Sequence, residues 1–520
     1  MSNHTDPLAL ARLRIRAAYD PELLRSAGHR LSDLLGDHFQ RIEQSAEKVL
    51  NWEDPQLNAE LVAKGLEQFD PCHSETTVAG DRASGGLEPN VERFAEIIQT
   101  LLARGHNLHD PRYIGHQVPA PIPIAGLFDA AGSVTNQVMA IYEMGPWASA
   151  VEHAMVEQLG QLIGWKKDQF AGFVTHGGSL ANLTALLTAR NVALGDSWES
   201  GTVRNGLPPV LVAHADSHYC IARSAGILGI GTNQVIRAAL DRRRRIDANR
   251  LDETLRELRS KNQPIVAVVA GACATPIGAF DPLNDIADVC RKHEVWMHVD
   301  AAHGGAACFS ARHRHLVDGL DRADSLIWDA HKMLFVPALC AFVFYRNREH
   351  RFEAFRQDAP YLFDPSAPGL AEFDSGLMTI ECTKRAATFG LWGVWSLFGP
   401  QIFADMVDVT FEMGQRFHAM LSDADDFQTI HEPECNIVAF RYVPDVLRDA
   451  SDERLGEFQL ELRRNVIQSG EFYIVPTTAN GIGALRVTII NPLTDESHLE
   501  LLMSTLRRRG REILERNATN

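Results

Sequence analysis

The sequence predicts an α/β protein: a sheet-bearing central domain over about 106–400 follows a helical segment, 1–105, and precedes a smaller α+β domain, 401–520. Three features carry the prediction. Compact apolar runs of strand length alternate with helical stretches through the middle of the chain. Those runs are apolar at nearly every position, whereas the first hundred residues carry apolar side chains at helical spacing.

In the N-terminal segment Leu31, Leu34, Leu35, Phe39 and Ile42 fall on one helical face, and polar, Gly- and Pro-containing stretches such as Pro71 to Pro89 interrupt the pattern. Helices this amphipathic and this separated suit packing against the next domain or a second subunit. The central runs are Val210–Ala213, Ile265–Ala270, Val295–Val299, Ser325–Trp328 and Leu339–Phe344. Their unbroken apolarity implies strands buried on both faces, as in a parallel or mixed sheet covered by helices. One intervening helix has a clear start. Asp281 is placed to cap it, Pro282 fits its first turn, and Ile286, Ala287 and Val289 precede Arg291 and Lys292. Beyond Gln401, long helical stretches flank the strand-like runs Ile437–Tyr442 and Leu485–Ile490. No Pro/Ser linker marks the boundaries, and no internal repeat is present.

Composition narrows the function. The 520 residues, 45% of them hydrophobic, can fill a large globular core. A net charge of −17 disfavours nucleic acid and anionic membranes, which are bound through excess Lys and Arg. The dense basic run Arg242 to Arg245 reads as a solvated face or a local anion contact. Asp6, Arg12, Arg14, Arg16 and Asp20 interrupt the N-terminal apolar residues, so neither a secretory signal nor a membrane span is expected, and a cytoplasmic location follows. The eight cysteines are scattered singly and read as reduced, mostly buried thiols. None of the 21 histidines falls in H-E-x-x-H or Cys/His finger spacing, so no metal is expected, and His313 and His315 read as surface residues.

Three stretches carry chemistry. Thr175-His-Gly-Gly-Ser-Leu-Ala-Asn182 sets two glycines and Ser179 before a helix of good formers, where free amides suit a phosphate. Taken alone it reads better as a turn capping an ordinary helix. Trp296-Met-His-Val-Asp-Ala-Ala-His303 ends a buried strand in Asp300, at the rim where α/β sheets bind ligands. A carboxylate there can keep a pyridine nitrogen protonated, or can simply cap a helix. Asp324-Ser-Leu-Ile-Trp-Asp-Ala-His-Lys332 is another strand running into a turn that ends in one lysine, and a lysine in a partly desolvated pocket can form an imine with an aldehyde. The order of the three, a phosphate turn, a strand-end acid and then His-Lys some thirty residues on, is more telling than any one of them.

With that order, and from Asp110-Pro-Arg-Tyr113 to Arg486-Val-Thr-Ile-Ile-Asn-Pro492, the chain resembles the group II decarboxylases dependent on pyridoxal 5′-phosphate (PLP). That family includes glutamate, cysteine sulfinate, aromatic amino acid and diaminobutyrate decarboxylases. The resemblance implies a type I PLP-dependent fold, aspartate aminotransferase-like, with a mixed, mainly parallel sheet. It also implies an obligate homodimer whose active site lies at the subunit interface, an amino acid substrate, and neither nucleic-acid nor membrane partners.

Residue by residue, Lys332 matches the family's Schiff-base lysine and His331 its neighbour beside the cofactor. Asp300 matches the partner of the pyridine nitrogen and Ala302 the small residue against the ring, while Gly178 and Ser179 fall on the phosphate turn. In His214-Ala-Asp-Ser-His-Tyr-Cys220, His218 matches the histidine that stacks on the ring and helps position the substrate. Tyr361, in Ala359-Pro-Tyr-Leu-Phe363, matches the mobile-loop tyrosine that protonates Cα after CO2 leaves; His218 is the alternative donor. Arg486 matches the arginine that receives the substrate α-carboxylate. His116, Gln117 and Tyr142 are candidates for the side-chain pocket and do not choose among substrates.

Three departures stand out. Ala330 replaces the usual Pro before His-Lys, His303 replaces a Tyr, and Gly271-Ala-Cys-Ala-Thr275 replaces a Gly-Thr-Thr strand end, leaving Cys273 or Thr275 as the substitute contact. The expected activity is decarboxylation of an L-amino acid to its amine and CO2. The rivals are aldehyde-forming oxidation, transamination or sulfur elimination on the same scaffold, or a catalytically silent binding protein.

Overall fold

The computed structural model describes residues 8–44, 47–67, 87–203, 206–355, 372–479 and 481–519. The chain divides into two compact units, Met1–Tyr113 with Leu462–Tyr473, and Ile114–Glu461 with Ile474–Asn520.

The first unit contains helices Ala9–Ala18, Pro21–Glu43, Pro55–Glu67 and Leu87–Arg104. Helix Pro21–Glu43 starts where it does because the Asp20 carboxylate accepts the Glu22 N–H and Pro21 occupies the first turn. It buries Leu34, His38 and Ile42, while Leu13, Ile15 and Leu24 on the first two helices stay exposed.

Among the described residues the main sheet of the second unit runs through β1 Ala171–Thr175, β2 Val210–His214, β3 Val235–Ala238, β4 Ile265–Ala274, β5 Met297–Asp300, β6 Ser325–Asp329 and β7 Ala341–Tyr345, with the short strand Ala279–Phe280 paired to β4 off this path. They lie in the order β1-β7-β6-β5-β4-β2-β3. β7 is antiparallel to both neighbours, and β6, β5, β4, β2 and β3 run parallel. All five apolar runs of the central domain are therefore strands. β1 and β3 were not among them, because β1 carries Ala171 and Gly172 and edge strand β3 leaves Arg237 exposed. Helix Gly178–Leu194 covers one face, packing Ala181, Ala185, Leu186 and Ala189 with Leu211, Val266, Val269, Ile327 and Val343. A second sheet joins β8 Phe427–Thr429, β9 Ile437–Tyr442, β10 Val475–Ala479 and β11 Ile482–Thr488 in the antiparallel order β8-β9-β11-β10. Its central strand β11 carries Arg486, in register with Ala439 and Val475.

Two expectations are corrected. The helix after Asp281 is Leu283–Lys292, with Pro282 at its cap position and no side-chain cap. Asp281 is buried and accepts instead from the amides of Ile246 at 2.6 Å and Gly271 at 2.8 Å, two donors that would otherwise be left unpaired. His313 is not a surface residue: its ring lies 5.0 Å from that of Phe411 and is buried, whereas His315 is exposed. The basic run sits in a turn where Arg243, Arg244 and Arg245 pair with Glu434, Asp216 and Asp241. The seven described cysteines are free thiols, five of them buried, and Cys72 lies outside the described residues. No described helix is long and apolar enough to cross a membrane.

One buried ion pair ties β1 to its surroundings. Lys384 Nζ donates to both Glu152 oxygens, at 2.7 and 2.9 Å, and to the Val174 carbonyl at 2.6 Å, while the Val174 amide donates back to Glu152 at 3.1 Å. Removing one partner strands a charge away from water. Lys384→Met should destabilise the protein by about 3–5 kcal/mol, whereas the double change Lys384→Met with Glu152→Leu should recover most of that loss. Urea denaturation of both variants checks this; equal stability of the single variant and the parent would show that the pair contributes nothing.

Candidate active site

The parallel strands share a direction, so β2, β4, β5 and β6 deliver their carboxyl ends to one edge of the sheet. There they surround a cavity of about 330 Å³. Its wall includes Gly178 and Ser179 after β1, His218 after β2, Cys273 to Thr275 at the end of β4, Asp300 and Ala302 at the end of β5, Asp329 at the end of β6, and His331 and Lys332 just beyond it. Gln117 completes the wall from the N-terminal side. His116 is exposed and lies outside this wall, as does Tyr142, whose amide donates to Asp374 at 2.8 Å and whose ring rests on Phe373. Tyr361 lies outside the described residues.

Gly177 begins helix Gly178–Leu194 with φ +112°, a conformation that favours glycine. A Cβ on Gly178 would sit 2.6 Å from Asp329 Oδ2, so only glycine lets the helix start approach β6 this closely. No side chain caps the helix. Its first amides are thereby left for an anion, and the helix dipole favours one there.

Lys332 Nζ lies 3.1 Å from Asp329 Oδ2. Burial lowers the lysine pKa, but the carboxylates of Asp329 and Asp300 outweigh it and hold the amine above its ordinary range. Asp300 Oδ2 accepts from Asn182 Nδ2 and its Oδ1 from the Ala302 amide, both at 3.1 Å. His218 accepts the Cys220 amide at Nδ1, 3.3 Å away, which assigns its ring proton to Nε2. Burial lowers its pKa against the opposing pull of Asp300, so the ring is neutral at pH 7. His331 is anchored by Nδ1 to the Cys340 carbonyl at 2.8 Å.

Arg486 is 6% exposed, and burial brings its pKa down to about 10, still charged at pH 7. Its Nη1 donates to the carbonyl of Thr275, itself on the cavity wall, at 2.8 Å. Its Nε is buried without a partner, and no carboxylate among the described residues pairs with it. Arg486 is not itself part of the wall and meets it through Thr275.

Two site residues escaped the sequence reading. Asp329 lies three positions before Lys332, and Asn182 four after Gly178, one helical turn on and thus on the same face. That spacing was the signal for both.

The donor set fits PLP. An uncapped helix start suits its phosphate, a carboxylate at a strand end suits its pyridine nitrogen, and an amine in the same cavity suits its aldehyde. Asp329 Oδ1, buried and unpartnered, marks a polar position on the wall that the protein itself does not satisfy.

Comparison with known proteins agrees. Residues 92–443 match the pyridoxal-dependent decarboxylase conserved domain. The acidic amino acid decarboxylase GADL1 of Mus musculus is 27% identical over 478 residues, 90% of this chain and 82% of that protein. The crystal structure of mouse CSAD superposes with a TM-score of 0.81 at 26% identity, covering 94% of this chain and 98% of that one. The fold is shared with Oryza sativa TDC, solved with PLP and tryptamine, at a TM-score of 0.82 and 21% identity over 95% and 99% of the two chains. The sheet is thus that of a type I PLP-dependent enzyme, as expected, and the chain belongs to the pyridoxal-dependent decarboxylases, enzymes that use PLP to remove the carboxyl group of amino acids.

Proposed function

We propose that this chain converts an L-amino acid to its amine and CO2 with PLP attached through Lys332 Nζ. The observation that supports this most is that one cavity combines Lys332, Asp300 and the uncapped start of helix Gly178–Leu194. Gly178 and Ser179 hold the phosphate, Asp300 faces the pyridine nitrogen, and Ala302, His218 and His331 line the remaining wall. When bound, PLP supplies a protonated ring that takes up the electron pair released as the Cα–carboxylate bond breaks.

The chain's own residues do the rest. A protonated lysine is no nucleophile, and Asp329 Oδ2, 3.1 Å from Nζ, is placed to take its proton. Arg486 offers a buried cation without an anion, the electrostatic demand that an α-carboxylate meets. His218 presents its Nε2 proton and Tyr361 its hydroxyl as donors to Cα. Gln117 contributes to side-chain recognition from the cavity wall, with His116 and Tyr142 as outer candidates. Assaying CO2 release across acidic, aromatic and diamino substrates identifies that side chain. Exposed Leu13, Ile15, Leu24, Val62 and Leu66 on the N-terminal helices support a homodimer, which sedimentation at micromolar concentration reads directly.

Borohydride reduction of the PLP-loaded enzyme followed by peptide mapping should place the adduct on Lys332, and Lys332→Ala should carry none. An adduct on any other lysine removes Lys332 from this role.

Arg486→Met should raise KM and lower kcat/KM by a factor corresponding to roughly 1.5–3 kcal/mol, the contribution of a charged hydrogen bond. Steady-state kinetics decides; an unaltered kcat/KM means the guanidinium only buttresses Thr275.

Tyr361→Phe should slow amine formation more than CO2 release, with aldehyde appearing in air. Measuring CO2, amine and aldehyde together tests this, since an unchanged ratio and rate would leave His218 as the donor.

A further inference from the structure

His298 and Asp300 stand two residues apart on β5 and so point to the same side of the sheet. Asn182, from the helix that covers that side, touches both. Four contacts form a line. Trp296 Nε1 lies 2.9 Å from Ser325 Oγ, Ser325 Oγ 2.8 Å from His298 Nδ1, His298 Nε2 2.8 Å from Asn182 Oδ1, and Asn182 Nδ2 3.1 Å from Asp300 Oδ2. Asn182, His298 and Ser325 are all essentially inaccessible to solvent.

The ends of this line fix every proton in it. An indole N–H only donates and a carboxylate only accepts. Asn182 must therefore turn its NH2 to Asp300 and its carbonyl to His298, an orientation that also lets the second amide proton reach Cys220 Sγ at 3.5 Å. His298 must then carry its proton on Nε2 and accept the Ser325 hydroxyl at Nδ1. Burial, opposed by Asp300, brings its pKa down to about 4, so the neutral form persists across the neutral pH range. All four hydrogen bonds point the same way and polarise one another toward Asp300.

We propose that Asn182 and His298 are positioning residues that hold the Asp300 carboxylate in the one orientation that presents it to the pyridine nitrogen of bound PLP. The inference rests on the reading of Asp300 given above. With Oδ2 held by Asn182 and Oδ1 by the Ala302 amide, the plane of the carboxylate is fixed at both oxygens. Losing Asn182 frees one oxygen to rotate. Losing the donor on His298 leaves the Asn182 carbonyl unpaired and its amide plane no longer held from behind.

The test uses the holoenzyme loaded with PLP labelled with 15N at the pyridine nitrogen, whose resonance reports protonation directly in solid-state spectra. Asn182→Leu and His298→Leu should each shift the resonance toward the unprotonated value and move its titration to lower pH. Each should also lower kcat roughly tenfold, the scale of one lost charge-assisted hydrogen bond, with KM little changed. His298→Gln, whose amide nitrogen can replace the Nε2 donor, should stay near the parent. Asp300→Ala is the reference: if it leaves the resonance in place, the reading of Asp300 itself fails. If Asp300→Ala shifts the resonance and neither leucine variant does, the positioning role is overturned while the reading of Asp300 stands. A shift in Asn182→Leu alone removes His298 from the proposal. Should a variant be poorly folded, the ratio of its affinities for PLP and for the analogue with CH in place of the pyridine nitrogen cancels the common loss. That ratio should fall in both leucine variants, and an unchanged ratio overturns the proposal.

Discussion

A charge taken out of water must be matched by another charge or by fixed dipoles, and the cavity at the sheet edge is arranged around that constraint. Lys332 enters it as a partly buried cation beside Asp329, with Asp300 acting from a greater distance. The two carboxylates reach it because parallel β5 and β6 are neighbours and end at the same edge. The antiparallel strand β7 lies on the far side of β6 and contributes no strand-end acid. Gly178 is the other half of the constraint, since its missing Cβ leaves room for the Asp329 oxygens. A bulkier residue there would push the helix start away from Asp329 and the Lys332 amine.

Arg486 answers the same constraint from a different sheet. It comes from the centre of an antiparallel sheet, where neighbours on both sides fix the backbone of β11. Its side chain reaches the Thr275 carbonyl, 211 positions away in sequence. A buried cation satisfied only by carbonyl dipoles is electrostatically incomplete, and the incompleteness lies next to a cavity wall. Such an environment favours an anion over a neutral group.

The parts of this arrangement that were legible in the sequence are those where burial leaves a pattern. Strands covered on both faces show as unbroken apolar runs, so β2, β4, β5, β6 and β7 stood out. β1 did not, because Gly172 is dictated by the close approach of Phe344 and the Val343 carbonyl, a tertiary demand with no local signature. Lys332, Asp300 and Gly178 were legible as an ordered set. Asp329 was passed over beside a more conspicuous lysine, and the hydrogen bonds of Asn182 cross 116 and 118 positions, which no local pattern encodes. His313 went the same way: its burial comes from Phe411, nearly a hundred positions on.

Lys384 is buried and Lys332 only partly so, and the contrast between them shows what makes an amine usable. Lys384 gives its ammonium group three acceptors, both oxygens of Glu152 and the Val174 carbonyl, which exhausts its donors. Losing a proton there would cost the ammonium part of a saturated network, and Lys384 is not part of the wall of the cavity at the sheet edge. Lys332 has one close carboxylate partner among the described residues and faces open space. Its proton has one short path out, to Asp329 Oδ2, and the neutral amine left behind borders a cavity wide enough for an aldehyde. The difference lies in how many acceptors surround the ammonium group, and the incomplete shell of Lys332 leaves its amine open to the cavity.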